Sequence, residues 1–229
     1  MSDFGAHAKT LGVSFNNLAL LTEALTHRSY LNEHRTTLGT HNERLEFLGD
    51  AVLELIVTHF LFLRFPSKPE GDLTAYRAAL VNTYSLAETA EGLGINDMLL
   101  LSKGEKKDTG RARQIILANA FEAILGAIYL DQGYAAAESF IVRTLTPKID
   151  IVLKNRTWQD AKSHFQEVAQ EKKGVTPTYK MVLQTGPDHD KQFTVAVLLG
   201  GEEIARGDGK SKQEAEQSAA TAALAQTVA

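Results

Sequence analysis

The sequence predicts a multidomain chain. An all-α domain over residues 1–153 is followed by a linker at 154–158 and a small α+β domain of order α-β-β-β-α over residues 159–229. Three observations predict this. As far as Leu153 the apolar residues recur at helical spacing. From Thr178 the rhythm changes to alternating segments separated by turn residues. Between the two regimes, Lys154 to Trp158 loses the apolar pattern altogether. With 44% hydrophobic residues in 229, there is enough apolar material for a core in each part.

Residues 4–40 read as helical, with Leu18, Leu21, Ala24 and Leu25 at helical spacing and Asn17 as a cap. A central helix is expected from His41 to Phe65. Pro66 to Gly71 is a loop by its proline and glycine content. Asp72 or Thr74 is the expected cap of the next helix, through Tyr76, Leu80, Val81 and Leu86. Gly92 and Gly94 punctuate the following turn. Ser102 to Arg113 reads as a basic loop carrying Lys103, Lys106, Lys107, Arg111 and Arg113, suited to contacting phosphates. A second apolar helix covers Ile115 to Tyr129, and an amphipathic one Ala135 to Leu145. A short helical piece then ends at Leu153.

The central helix carries an anomaly. At about 100° per residue, with Asp50 as zero, Glu43 falls near 20°, Glu46 near −40° and Glu54 near 40°. Leu45, Phe47, Leu48, Val52, Leu55 and Ile56 cover most of the remaining surface. The pattern predicts a helix buried nearly all round with one narrow acidic seam. Such carboxylates must face a water-filled cleft or a cation, because an unpaired buried carboxylate is very costly. The second apolar helix repeats the design with Asn119 and Glu122, spaced i, i+3 on one face. Packed seam to seam, the two helices bring together an oxygen-rich set of the kind Mg²⁺ requires.

In the second domain, Asp160 caps a helix through Lys172. Strands are expected at 178–184, 192–199 and 202–207, with Tyr179, Met181 and Leu183 on one face of the first. An alanine-rich helix follows from Ser211 to Gln226. The net charge is −4, shared equally between residues 1–158 and 159–229. A nucleic-acid binder of this charge must rely on local cationic clusters. The absence of cysteine excludes disulfides and thiolate metal sites and suits a cytoplasmic location. No secretory signal is expected at the N-terminus. The most apolar run of the central helix, Leu53 to Leu63, is too short to span a bilayer.

Asn42-Glu43-Arg44-Leu45-Glu46-Phe47-Leu48-Gly49-Asp50-Ala51 resembles the signature of bacterial ribonuclease III. The segments Ala24-Leu25-Thr26-His27-Arg28-Ser29-Tyr30 and Glu70-Gly71-Asp72-Leu73-Thr74 with Arg77 resemble the same family. In the C-terminal part, Phe165-Gln166-Glu167, Gly186-Pro187-Asp188-His189 with Phe193, and Gly209-Lys210-Ser211-Lys212 resemble a double-stranded-RNA-binding domain.

The resemblance implies a Mg²⁺-dependent homodimeric endonuclease, with Mn²⁺ as a substitute, no organic cofactor and no membrane partner. It implies cleavage of both strands of an RNA duplex to 5′-phosphate and 3′-hydroxyl ends, in the processing of rRNA and mRNA precursors. Glu46, Asp50, Asn119 and Glu122 are the implied metal ligands. Asp50 and Glu122 are the principal catalytic groups, and Glu43 orients water or substrate. Gln166, Glu167, His189, Lys210 and Lys212 are the implied RNA contacts. The resemblance also places the central helix at a two-fold interface, where Gly49 permits close approach. Asn119 stands where the family usually has aspartate, which leaves a catalytically silent RNA-binding protein as the alternative. Gln213 stands where a second basic residue is usual, so weak RNA binding is expected of the C-terminal domain alone.

Overall fold

The structure, a computed structural model, describes residues 3–34, 39–155, 158, 160–187 and 191–227. The chain forms two compact units, Met1–Trp158 and Gln159–Ala229. In the first, α1 (Phe4–Leu11), α2 (Leu18–Ala24) and α3 (Arg28–Glu33) precede the long α4 (Glu43–Arg64). Then follow α5 (Glu70–Val81), α6 (Thr83–Gly92) and the single turn α7 (Ile95–Met98). The second long helix is α8 (Arg111–Gln132), followed by α9 (Tyr134–Thr144) and α10 (Lys148–Asn155). Local chemistry sets several of these ends. The Asn17 side chain accepts from the Ala19 N–H at 3.1 Å and starts α2. Gly12, at φ 66°, ends α1 in the left-handed region.

Helix α8 is the axis of the unit. Leu117, Phe121, Ile124, Leu125 and Ile128 are fully buried, and α2, α4, α6, α7 and α9 pack around it. By length and composition α8 could cross a membrane, but its apolar side chains form the core of this unit. Against α4 the two backbones nearly touch. A Cβ on Gly49 would overlap the Glu122 carbonyl, and one on Gly126 would overlap the Leu45 carbonyl. The close approach that Gly49 was expected to make with a second copy is therefore made within the chain, to α8.

Other expectations need correction. Helix α5 begins at Glu70, with Pro69 before it, so Asp72 and Thr74 lie inside it rather than capping it. The helical run expected through Leu86 breaks at Asn82, whose side chain accepts from the Ser85 N–H at 2.9 Å and starts α6. The basic loop is shorter than expected, since Arg111 and Arg113 belong to α8. Part of the expected linker is structured. Lys154 and Asn155 close α10, and the Trp158 ring packs edge-on against Tyr76 at 4.8 Å. The central helix is not buried all round, for Phe47 is 81% exposed, Leu55 58% and Phe62 66%.

The second unit has the order α11 (Ala161–Lys173), β1 (Thr178–Thr185), β2 (Gln192–Leu199), β3 (Glu202–Gly209) and α12 (Lys212–Thr227). The three strands are antiparallel in the order β1-β2-β3. Asp160 accepts from the Ser163 N–H and starts α11. The alanines of α12 explain themselves here. Ala219, Ala220 and Ala223 are fully buried against Phe165, Val197 and Ala205, and β3 lies close enough to α12 that a Cβ on Gly207 would overlap the Ala219 amide. Most of β1 is exposed, Met181, Val182 and Leu183 included, while Tyr179 stays half-buried, and a register shift falls between Met181 and Leu183.

Candidate active site

The α4–α8 packing decides where the polar seams meet. Because each helix presents a glycine to the other's carbonyl, Glu122 lies against α4 at the level of Gly49, between Glu46 and Asp50 in sequence. Glu122 is half-buried, and its carboxyl is pushed up to about 8 by burial first, then by the charges of Asp50, Glu46 and Glu54. Burial and the charges of Glu43 and Asp50 raise Glu46 as well, while its bond to the Asn119 side chain works the other way. Glu46, Asp50, Asn119 and Glu122 are thus neighbours where α4 and α8 meet. Among the described residues, none of these three carboxylates has an ion-pair partner.

The remaining acids of the stripe are compensated. Glu43 sits at the rim, 3.5 Å from the Arg28 guanidinium and 3.8 Å from the His41 ring. Glu54 is paired with Arg77 at 2.9 Å, and Arg77 also donates to Thr58 Oγ1 at 2.9 Å. Glu54 and Arg77 are separated by a helix boundary and a loop, so no local pattern predicts their pairing. The segment around His27 is an anchor for the site. The Thr26 carbonyl accepts from the Asn42 N–H just ahead of α4, and His27 N–H donates to the Leu100 carbonyl.

The cleft suits a hard divalent cation chemically, since its donors are carboxylate and amide oxygens with uncompensated negative charge. Among the described residues, no three acid or imidazole groups converge into a ready-made cage. The residues fit the ion as an open acidic cleft whose mutual repulsion a cation would relieve.

In the second unit, Gln166 and Glu167 line a shallow groove along α11 with Ser163, Gln170 and Glu171. Lys210 is exposed, and its backbone N–H donates to the Glu214 carboxylate at 2.8 Å. Lys212 opens α12 and lies 4.0 Å from Glu216, which also pairs with Lys162 at 2.7 Å. A part of the cationic charge at this end is therefore neutralised internally. His189 lies outside the described residues.

Comparison with known proteins agrees with both halves. Residues 17–149 match the family model described as ribonuclease-III-like, and residues 161–227 match the double-stranded RNA binding motif. The chain is 48% identical over 213 residues to Ribonuclease 3 of Enterococcus faecalis, covering 93% of this chain and 92% of that protein. It is 44% identical over 220 residues to Ribonuclease 3 of Geobacter metallireducens, covering 96% and 89%. Among solved structures, the nuclease domain of ribonuclease III from Campylobacter jejuni aligns with a TM-score of 0.56 and 41% identity, over 62% of this chain and 95% of that one. That domain is described as having a region involved in dimer formation.

A helical nuclease unit with an acidic cleft, followed by a duplex-RNA-binding unit, defines an endoribonuclease that acts on double-stranded RNA. The chain belongs to the ribonuclease III family.

Proposed function

We propose that this protein is a Mg²⁺-dependent homodimer that hydrolyses phosphodiesters in both strands of an RNA duplex and works in the processing of structured precursor RNAs. Water adds to phosphorus, and the bond to O3′ breaks. The phosphate stays on O5′ of the downstream fragment, and the departing O3′ of the upstream fragment takes a proton to become a hydroxyl. The observation that carries this reading is the uncompensated set of Glu46, Asp50 and Glu122 between α4 and α8.

Glu46, Asp50, Asn119 and Glu122 would hold Mg²⁺, or Mn²⁺ in its place. When bound, the ion supplies an activated water and charge stabilisation at the phosphate. Glu43, paired with Arg28, orients water or substrate. The Asn119 side chain holds the Glu46 carboxylate in place. Lys103, Lys106 and Lys107 of the basic loop contact the phosphate backbone. Gln166, Glu167 and His189 reach minor-groove 2′-hydroxyls, and Lys210 and Lys212 the phosphates between. The lack of cysteines supports action in the cytoplasm.

The exposed apolar residues of α4 support the dimer. Phe47, Leu55 and Phe62 share one stripe whose midpoint lies beside Leu55, so an antiparallel second α4 related by a two-fold axis would cover it from end to end. Each copy would then offer one acidic cleft to one strand.

The test is cleavage of a long RNA duplex with Mg²⁺ and with chelator, followed by end analysis of the products. Cleavage only with the ion, giving 5′-phosphates, is expected. Glu122→Gln should lose cleavage by a factor of at least about 10³ while still binding duplex. Cleavage that persists in chelator, or in that variant, would sink the proposal.

A further inference from the structure

We propose that Arg113 is a positioning residue, which braces the loop 102–110 from within so that Lys103, Lys106 and Lys107 meet the duplex backbone in a preset arrangement. This rests on the reading that the loop contacts phosphates.

The guanidinium of Arg113 is turned inward. Its Nε donates to the Asp108 carbonyl at 3.2 Å and its Nη2 to the Lys106 carbonyl at 3.2 Å. Its Nη1 is shielded from solvent and has no acceptor among the described residues. An arginine that receives a phosphate must offer an open fork of donors. Here the fork is spent on the loop's own backbone, which separates Arg113 from the lysines it follows.

The rest of the loop is tied at its ends. Ser102 N–H donates to Ser29 Oγ at 3.1 Å, and Lys103 N–H to the Glu33 carboxylate at 3.0 and 3.2 Å. At the far end Gly110 N–H donates to Asp108 Oδ1 at 2.8 Å. Between these ties the loop turns through Glu105–Lys107, a single 3-10 turn that carries Lys106 and Lys107 side by side. Two like charges on one short turn repel each other and favour a splayed loop. The two bonds from Arg113 oppose that and join the turn to α8. At 1.5 Å rise per residue, Arg113 stands about 9 Å along the same helix from Asn119. The loop and the acidic cleft therefore share one rigid frame. A loop ordered in advance meets the duplex without losing conformational freedom at that moment, which is a gain in affinity.

The experiment uses the full chain and reads three quantities: KM and kcat for duplex cleavage, the salt dependence of duplex binding, and amide hydrogen exchange at residues 104–109 in the free protein. The double variant Lys106→Ala, Lys107→Ala tests the underlying reading. It should raise KM and flatten the salt dependence, by about one unit of slope for each phosphate that is no longer neutralised. If neither changes, the phosphate reading of the loop fails, and the proposal with it.

Given that reading, Arg113→Ala should raise KM about tenfold, the effect of losing roughly 1.4 kcal/mol of preorganisation. It should leave kcat nearly unchanged and quicken exchange across 104–109. Added to the lysine double variant, it should raise KM by far less than tenfold, because Arg113 acts through those lysines and only Lys103 remains for it to position. Arg113→Lys, which offers one donor position rather than a planar fork, should fall between and keeps the test readable if the alanine variant does not fold. Unchanged exchange together with a rise in KM that adds in full to that of the lysine variant would make Arg113 a phosphate contact in its own right and overturn the proposal. Unchanged KM and exchange in both Arg113 variants would overturn it too.

Discussion

The chemistry of the nuclease unit turns on one carboxyl. Glu122 is held up to about 8 because folding buries it beside the charges of Asp50, Glu46 and Glu54. The metal-free native state therefore keeps this proton well above the ordinary carboxylate value of 4.5, whereas the unfolded chain does not. A raised native pKa contributes stability that is full below the unfolded value and is lost as pH rises through the native one. In chelator, the melting temperature should thus fall between about pH 5 and pH 8.5, with Glu122→Gln following a flatter course and melting higher than the parent at the upper end. Thermal melts across that range decide it, and parallel curves for the two proteins would show that Glu122 is not the strained group. The contrast with Glu54 is instructive. It shares the same helix face, but Arg77 at 2.9 Å compensates its charge.

At the scale of the element, the α4–α8 contact is what turns two polar seams into a cleft. Gly49 and Gly126 are reciprocal, each facing a carbonyl of the other helix. No side chain fits at either position without moving a backbone. Gly126→Ala should push α8 away from Leu45 and so shift Glu122 from Asp50. The expected cost is about 3 kcal/mol of stability, the upper end of the range for overpacking, together with a loss of kcat larger than any change in duplex affinity. Denaturant unfolding and cleavage kinetics measure the two separately. A variant with parental kcat would show that the cleft tolerates the displacement. In the second unit Gly207 against Ala219 uses the same device, so the alanine content of α12 records how close the sheet lies.

For the whole molecule, the exposed stripe of Phe47, Leu55 and Phe62 is the feature a lone copy does not explain. Large apolar side chains aligned over most of a helix are characteristic of an interface. Leu55 stands at the midpoint of that stripe, so a two-fold axis there would place both copies of it in contact. Leu55→Glu should then put two like charges together and leave the protein monomeric in sedimentation equilibrium. Because Leu55 is exposed in the single copy, the variant's far-ultraviolet circular dichroism should match the parent's. A dimer that survives this change would place the interface elsewhere.

By itself the sequence determined the parts whose signal is local. Helical periodicity marked α4 and α8, alternation marked β2, and the i, i+3 and i, i+4 spacings placed Glu46, Asp50, Asn119 and Glu122 on polar seams before any packing was known. The order α-β-β-β-α followed from alternation punctuated by glycine and proline, with Asp160 as the cap of its first helix. What tertiary structure alone decided was partnership. Periodicity says that a face is apolar or acidic, but not what covers it. Gly49 was therefore expected to face another copy, whereas the carbonyl it faces is that of Glu122 on α8. The bulge at Met181 and Leu183 depends on register with β2, which no single strand encodes. Arg113 looked like its neighbouring lysines because composition carries no direction; only the fold shows its guanidinium turned onto the carbonyls of Lys106 and Asp108. Long-range pairing is set by the geometry of packed backbones, and that geometry is a property of the whole chain.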